Sequence, residues 1–295
     1  MTLLLQAALV VLSLLYVAEW VRSGRAHRPG PGAPTARPGP LDLGTGFATD
    51  FLDTLGIGNF ATTTAALKFF RLAPDQEIPG TLNVGHTLPV VTEALIYIGI
   101  IQVDAWTLLS MIVAAVAGAW LGAGVVARMP RRAIQIGMGL ALLGFALVLL
   151  AQLRVQLHGD ALGLAGPRLV LAIAGNFVLG ALMTLGIGLY APCMILVSLL
   201  GMNPVAAFPI MMGSCAFLMP VGSIRFIRAN RYSLRAALGL TIGGLPGVLL
   251  AAFLVKSLPL DAVRWLVVGV VVYTSLMMLR SARREKSPRP PLEVA

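Results

Sequence analysis

The chain has 295 residues, of which 58% are hydrophobic and only 12% charged, and its mean hydropathy is +0.87. Soluble domains run at about 45–50% apolar and about 25% charged residues, so a water-soluble enzyme is excluded and the lipid bilayer is expected as the main solvent. The formal net charge of +10 does not point to nucleic acid, because Lys and Arg sit in short clusters between apolar runs and no aromatic-rich basic domain accompanies them.

The first apolar run, 2–21, has no basic segment ahead of it and ends at Glu19-Trp20-Val21-Arg22 without a small-residue cleavage pattern. It is therefore expected to be an uncleaved transmembrane anchor (1–21). Residues 22–40, rich in Pro, Gly and Arg, bury almost nothing and read as a linker. Further spans are expected at 81–101, 105–127, 133–153, 203–224, 234–255 and 260–279, each about the 20 residues that cross a hydrocarbon core as a helix. Two longer stretches, 41–70 and 168–200, are interrupted by glycines. Cys193 and Cys215 both fall in apolar segments and lack metal-ligand spacing, so no disulfide, metal or other cofactor is expected.

If each interrupted stretch enters the membrane and returns, the rule that Lys and Arg collect in cytoplasmic loops is met throughout. The clusters at 22–37, Arg71, 128–132, 225–235 and 280–286 then lie inside, and the loops at 154–167, 201–203 and 256–259 outside. The N-terminus is expected outside and the 281–295 tail in the cytoplasm, which places the chain in the cell inner (plasma) membrane.

Thr54-Leu55-Gly56-Ile57-Gly58 recurs unchanged at Thr184-Leu185-Gly186-Ile187-Gly188, an offset of 130. Ala61 and Ala191, and Pro79 and Pro209, share that offset; Gly118 and Gly247, and Pro130 and Pro259, differ by 129. Two repeats follow, 41–153 and 168–280, joined by an external loop at 154–167. Each reads as a broken helix followed by three spans, and by the charge rule they have opposite orientation. The expected fold is thus all-α: two inverted-topology repeats, each with a re-entrant first helix, plus an extra N-terminal helix. Such repeats are the architecture of secondary transporters, with the substrate site near the bilayer midplane.

Gly56 and Gly58 separate two helical pieces, the second beginning at about Asn59. Its first turn, with Thr62 and Thr63, offers free N–H groups and the positive end of a helix dipole, which suit an anion. Gly186, Gly188, Tyr190 and Cys193 repeat the device in the second half. A pair of glycine kinks needed only for packing is the plainer reading. The following spans add Asn83 and His86, matched approximately by Ser214 and Cys215. Asn83 and His86 share a helix face; a histidine bonded to a neighbouring helix is about as good a reading. Glu93 returns to that face two turns later and, with Asp53, is a candidate for a coupling proton or cation. An Asp–Lys pair within 50–68 is the bland reading of Asp50, Asp53 and Lys68.

These residues resemble the sulfite exporter TauE/SafE family, also called the four-toluene-sulfonate uptake permease family. The likeness rests on Gly56-Ile57-Gly58 and Gly186-Ile187-Gly188, and on the small-residue run Gly118-Ala119-Trp120-Leu121-Gly122-Ala123 leading to Arg128-Met129-Pro130. It spans about 41–280, leaving the N-terminal anchor and linker outside. Asn59-Phe60 and Leu189-Tyr190 stand where a fuller glycine run often follows. The resemblance implies a permease for sulfite, sulfonates or related organic anions rather than an enzyme. An anion channel is the alternative. An intramembrane hydrolase built on Ser214 and His86 is disfavoured by the absence of a Gly-x-Ser-x-Gly elbow. The expected partners are a small anion, the coupling ion and lipid; Gly118/Gly122 faces would serve packing within one chain or in a homodimer.

Overall fold

A computed structural model describes residues 2–26, 37–74, 77–126, 159–183 and 188–257, with isolated helical positions between 132 and 147 and between 265 and 283. The described chain is helical, with no strand among the described residues beyond one bridge between Ala161 and Met202. In order come α1 (Thr2–Ala26), α2 (Pro40–Thr54), α3 (Asn59–Phe69), α4 (Ile78–Ile100), α5 (Ala105–Val126), α6 (Gly166–Met183), α7 (Tyr190–Leu199), a short 3₁₀ turn (Pro204–Ala206), α8 (Ala207–Arg228) and α9 (Leu234–Ser257). Among the described residues, α1, α6, the 3₁₀ turn with α8, and α9 each contain a segment long and apolar enough to cross a membrane. The spans expected at 133–153 and 260–279 lie largely outside the described residues; the positions described within them are helical.

Local chemistry explains where the helices begin and end. Pro40 opens α2 at a position whose N–H would be unsatisfied in any case, and the Asp42 carboxylate reaches back to accept from the Gly39 N–H at 2.7 Å. At the other end Ile57 donates to Leu52 O (3.1 Å) and Gly56 to Asp53 O (2.7 Å), with Gly56 at φ +92°. That is the Schellman closure, in which a left-handed residue turns the chain out of the helix. The helix α3 closes the same way at Arg71 (φ 54°), and α7 at Gly201 (φ 94°), 130 positions later.

Helix α1 docks on the bundle more firmly than an appended anchor would. Leu9 and Tyr16 are fully buried. Gln6 donates to Leu95 O (3.0 Å) and Tyr16 to Val84 O (2.7 Å), both on α4, while Glu19 pairs with Arg228 of α8 at 2.7 Å. These contacts bring several loops to one end. Trp20 bonds Tyr232 (3.0 Å), Asp42 pairs with Arg235 (2.8 Å), and Thr81 accepts from the Ser233 N–H (2.9 Å). The described parts of the segments the charge rule groups together, 22–26, 37–40 and 225–235, therefore adjoin the same end. At the far end of α4, Asp104 N donates to Leu162 O (2.7 Å) and Asn203 N to Ala161 O (2.9 Å), gathering 102–104, 159–165 and 201–203. So α6 sets out from the end at which α7 finishes.

The most extensive packing is crosswise between the halves: α2 against α9, α5 against α6, and α4 against α8. Glycines permit the close approach. Gly247 of α9 lies on the Phe47 carbonyl of α2, and Gly118 of α5 on the Phe177 carbonyl of α6. Phe47 and Phe177 are themselves 130 apart, so one contact is the counterpart of the other. A Cβ at Gly247 would meet backbone that cannot rotate away. Gly247→Ala should therefore destabilise the protein by about 1–3 kcal/mol. Gly44→Ala, on α2 where a Cβ meets nothing within 4 Å, should stabilise it by up to about 1 kcal/mol. Thermal unfolding in detergent, read by intrinsic fluorescence, would check the opposite signs.

Candidate functional site

Two interruptions meet in the centre of the bundle. In the first half Gly56 closes α2 and Gly58, at φ +83°, caps α3; α3 begins at Asn59, where the sequence places it. The two glycines do different things. A Cβ at Gly56 would press on the Met194 methyl at 3.0 Å, while at Gly58 it would meet nothing within 4 Å. In the second half α6 is described as far as Met183 and α7 starts at Tyr190, with Gly188 likewise facing open space. Gly186 lies outside the described residues.

Between the interruptions is a cavity of about 20 Å³, room for about one water. Its lining comes from both halves in matched positions. Asp53 and Met183, Gly58 and Gly188, Asn59 and Leu189, and Phe60 and Tyr190 are each 130 apart, and Val90 and Met219 are 129 apart. Cys215 completes the lining, 129 positions after His86. The matching is geometric and not chemical: the first half contributes a carboxylate and an amide where the second contributes Met183 and Leu189.

Behind this cavity the first half carries a buried polar network. Asp50 Oδ1 accepts from Asn59 Nδ2 (3.0 Å) and pairs with His86 Nδ1 (2.7 Å), and His86 Nε2 bonds the Thr63 hydroxyl (2.9 Å). Asp50 and His86 are both completely buried. Asp50 Oδ2 has no hydrogen-bond partner and packs on Gly244 of α9, where a side chain would collide with it. A second branch centres on Glu93, also fully buried. Its Oε2 accepts from Tyr190 OH (2.9 Å), a bond between the halves, and its Oε1 lies 2.7 Å from Thr54 Oγ1. Thr54 Oγ1 also lies 2.8 Å from Asp50 O. One hydroxyl has one proton, so Thr54 either donates to an ionised Glu93, or donates to the Asp50 carbonyl and accepts from a protonated Glu93. The pair accommodates both states.

Of the residues expected to form the site, Asp53, Gly58, Asn59, Gly188, Tyr190 and Cys215 line the cavity. Thr63, His86 and Glu93 form the network behind it. The others are used elsewhere. Thr62 turns back onto Asn59 O (2.9 Å), as a threonine without an outside partner does in a first turn. Asn83 is partly exposed and bonds Pro79 O (2.8 Å). Ser214 bonds Asn176 of α6 (3.1 Å), and Cys193 is packed in the apolar core. His86 and Cys215 are 129 positions apart, one in the buried network and the other on the cavity. Thr54 and Met219 enter the site or its support without having been selected from sequence, and Asp50, read there with Asp53 and Lys68, pairs with His86.

The sequence profile of the family described as Sulfite exporter TauE/SafE matches residues 1–149 and 168–294. The match is wider than the 41–280 of the motif resemblance and takes in α1, in keeping with the docking of that helix. No curated protein and no solved structure matches the chain.

Proposed function

This chain belongs to the sulfite exporter TauE/SafE family, whose members are membrane transporters and not enzymes, and from that premise we propose that it is a secondary carrier of small sulfur oxyanions. One observation carries the reading: the central cavity is bounded at once by both helix interruptions, through side chains at matched positions in the two halves. An anion there meets the N-termini of α3 and α7, with their unsatisfied N–H groups and positive dipole ends. Among the described residues no arginine or lysine lines it, which suits a small, weakly charged anion over a multivalent one.

The crosswise packing supports two inverted halves that rock against one another, exposing the site to each side in turn. The cavity has room for about one water, so the halves must move apart for an oxyanion to enter it. Glu93 and Asp53 supply the coupling to an ion. By the positive-inside rule the end carrying 37–40 and 225–235 is cytoplasmic, with the N-terminus outside in the inner (plasma) membrane. The test is uptake of labelled sulfite, sulfate and ethanesulfonate into proteoliposomes. Saturable flux, inhibited by the unlabelled anion, supports a carrier; flux linear in concentration favours a channel, and none above protein-free liposomes removes the sulfur-oxyanion reading.

A further inference from the structure

Resting on that reading, the geometry points to how the ion is coupled. Asp53 stands in the position a bound anion would need. It lines the cavity beside Gly58 and Asn59, it is 98% buried, and the Asn59 backbone N–H in the first turn of α3 bonds its carboxylate. Its Oδ2 has no hydrogen-bond partner. The helix terminus that attracts an anion is thus already facing a carboxylate of the protein itself.

The charged surroundings offer no relief. The titratable groups facing Asp53 are Asp50 on its own helix, Glu93 on α4, Tyr190 on α7 and Cys215 on α8. Among the described residues around the cavity the one basic group is His86, and its Nδ1 is committed to Asp50. An ionised Asp53 and a substrate anion would be like charges sharing one helix terminus in a site with little water to screen them.

We propose that the substrate binds only to the carrier whose Asp53 carboxyl holds a proton, so that one proton crosses with each anion. The protonated carboxyl becomes a donor to the anion where the carboxylate repelled it. The proton is taken from the side to which the cavity is open and is released with the anion on the other. Transport is symport, electroneutral for a monoanion, and its direction follows the combined gradients of anion and proton. The second half, with Met183 in the place of Asp53, carries no matching proton site.

The experiment measures the apparent Kd for labelled sulfite by counterflow in proteoliposomes across pH, for the wild type and for Asp53→Asn, subtracting protein-free liposomes. Sulfite takes up protons itself, so the reading is the difference between the two slopes. An obligatory proton raises Kd tenfold per pH unit above the titration of its site. The wild-type slope should accordingly exceed that of Asp53→Asn by about one decade per pH unit, and Asp53→Glu should restore it. A pH gradient should drive accumulation on the alkaline side in the wild type and not in Asp53→Asn. Equal slopes, or accumulation driven by a sodium gradient at uniform pH, would overturn the proposal while leaving the carrier in place. Absence of wild-type counterflow would overturn the carrier reading and this one together. If Asp53→Asn does not insert, the wild-type and Asp53→Glu gradient experiments decide: no accumulation under a pH gradient overturns the proposal.

Discussion

Replacing His86 with alanine is expected to be the most damaging change to a single polar side chain in the described bundle. It strips the imidazole from Asp50 Oδ1, leaving that carboxylate with the Asn59 amide alone and with Oδ2 still unpartnered. Removing one member of a buried, hydrogen-bonded pair costs about 3–5 kcal/mol, because the survivor keeps its desolvation penalty without its partner. Thr63 loses its partner at the same time. Thermal unfolding of the purified protein should register the full loss. The double variant with Asp50→Ala should recover part of it, since no orphaned charge remains, and that coupling identifies the pair as the cause. A loss below about 1 kcal/mol in His86→Ala would mean that the pair carries little of the local stability.

The second large effect is expected at the glycines of the two interruptions. A leucine at Gly58 must adopt φ +83°, which costs an L-residue about 1–2 kcal/mol, and its side chain would enter the cavity. A Cβ at Gly188 likewise meets nothing within 4 Å, so a leucine there projects into the same space. The Gly58→Leu/Gly188→Leu protein should still purify as a folded species, while its flux falls to the background of protein-free liposomes. Gly188→Leu alone should lower the flux toward the same background, because its side chain enters the cavity that Gly188 lines. Wild-type flux through the double variant would place the route elsewhere.

Much of this architecture was legible in the sequence because its signals are periodic and duplicated. Apolar run lengths marked the helices, and the repeated Thr-Leu-Gly-Ile-Gly marked the breaks, down to the start of α3 at Asn59. The pairing of Gly118 with Gly247 pointed to equivalent positions, and the structure adds the reason: each lies on a phenylalanine carbonyl of the other half. What sequence did not reveal is which polar residues face one another across helices. Thr62 and Thr63 are adjacent, yet a helix turns one toward its own backbone and the other toward His86. Ser214 and Cys215 divide likewise, one to Asn176 and one to the cavity. Asp50 has an acidic neighbour three residues on and a lysine further along α3, and nothing in that spacing names His86 as its partner. Nor does any local pattern distinguish Gly56, which ends a helix against Met194, from Gly58, which opens onto the cavity.

The central claim, one cavity opened to each side of the membrane in turn, is tested most directly at Cys215, a native cysteine that lines it. With Cys193 replaced by alanine, Cys215 is the sole thiol, and an impermeant methanethiosulfonate reagent can be applied from either face of oriented vesicles. The account predicts labelling from both faces, slowed from both by saturating ethanesulfonate if that anion is transported. Labelling from one face alone, or from neither under conditions of active transport, would contradict it.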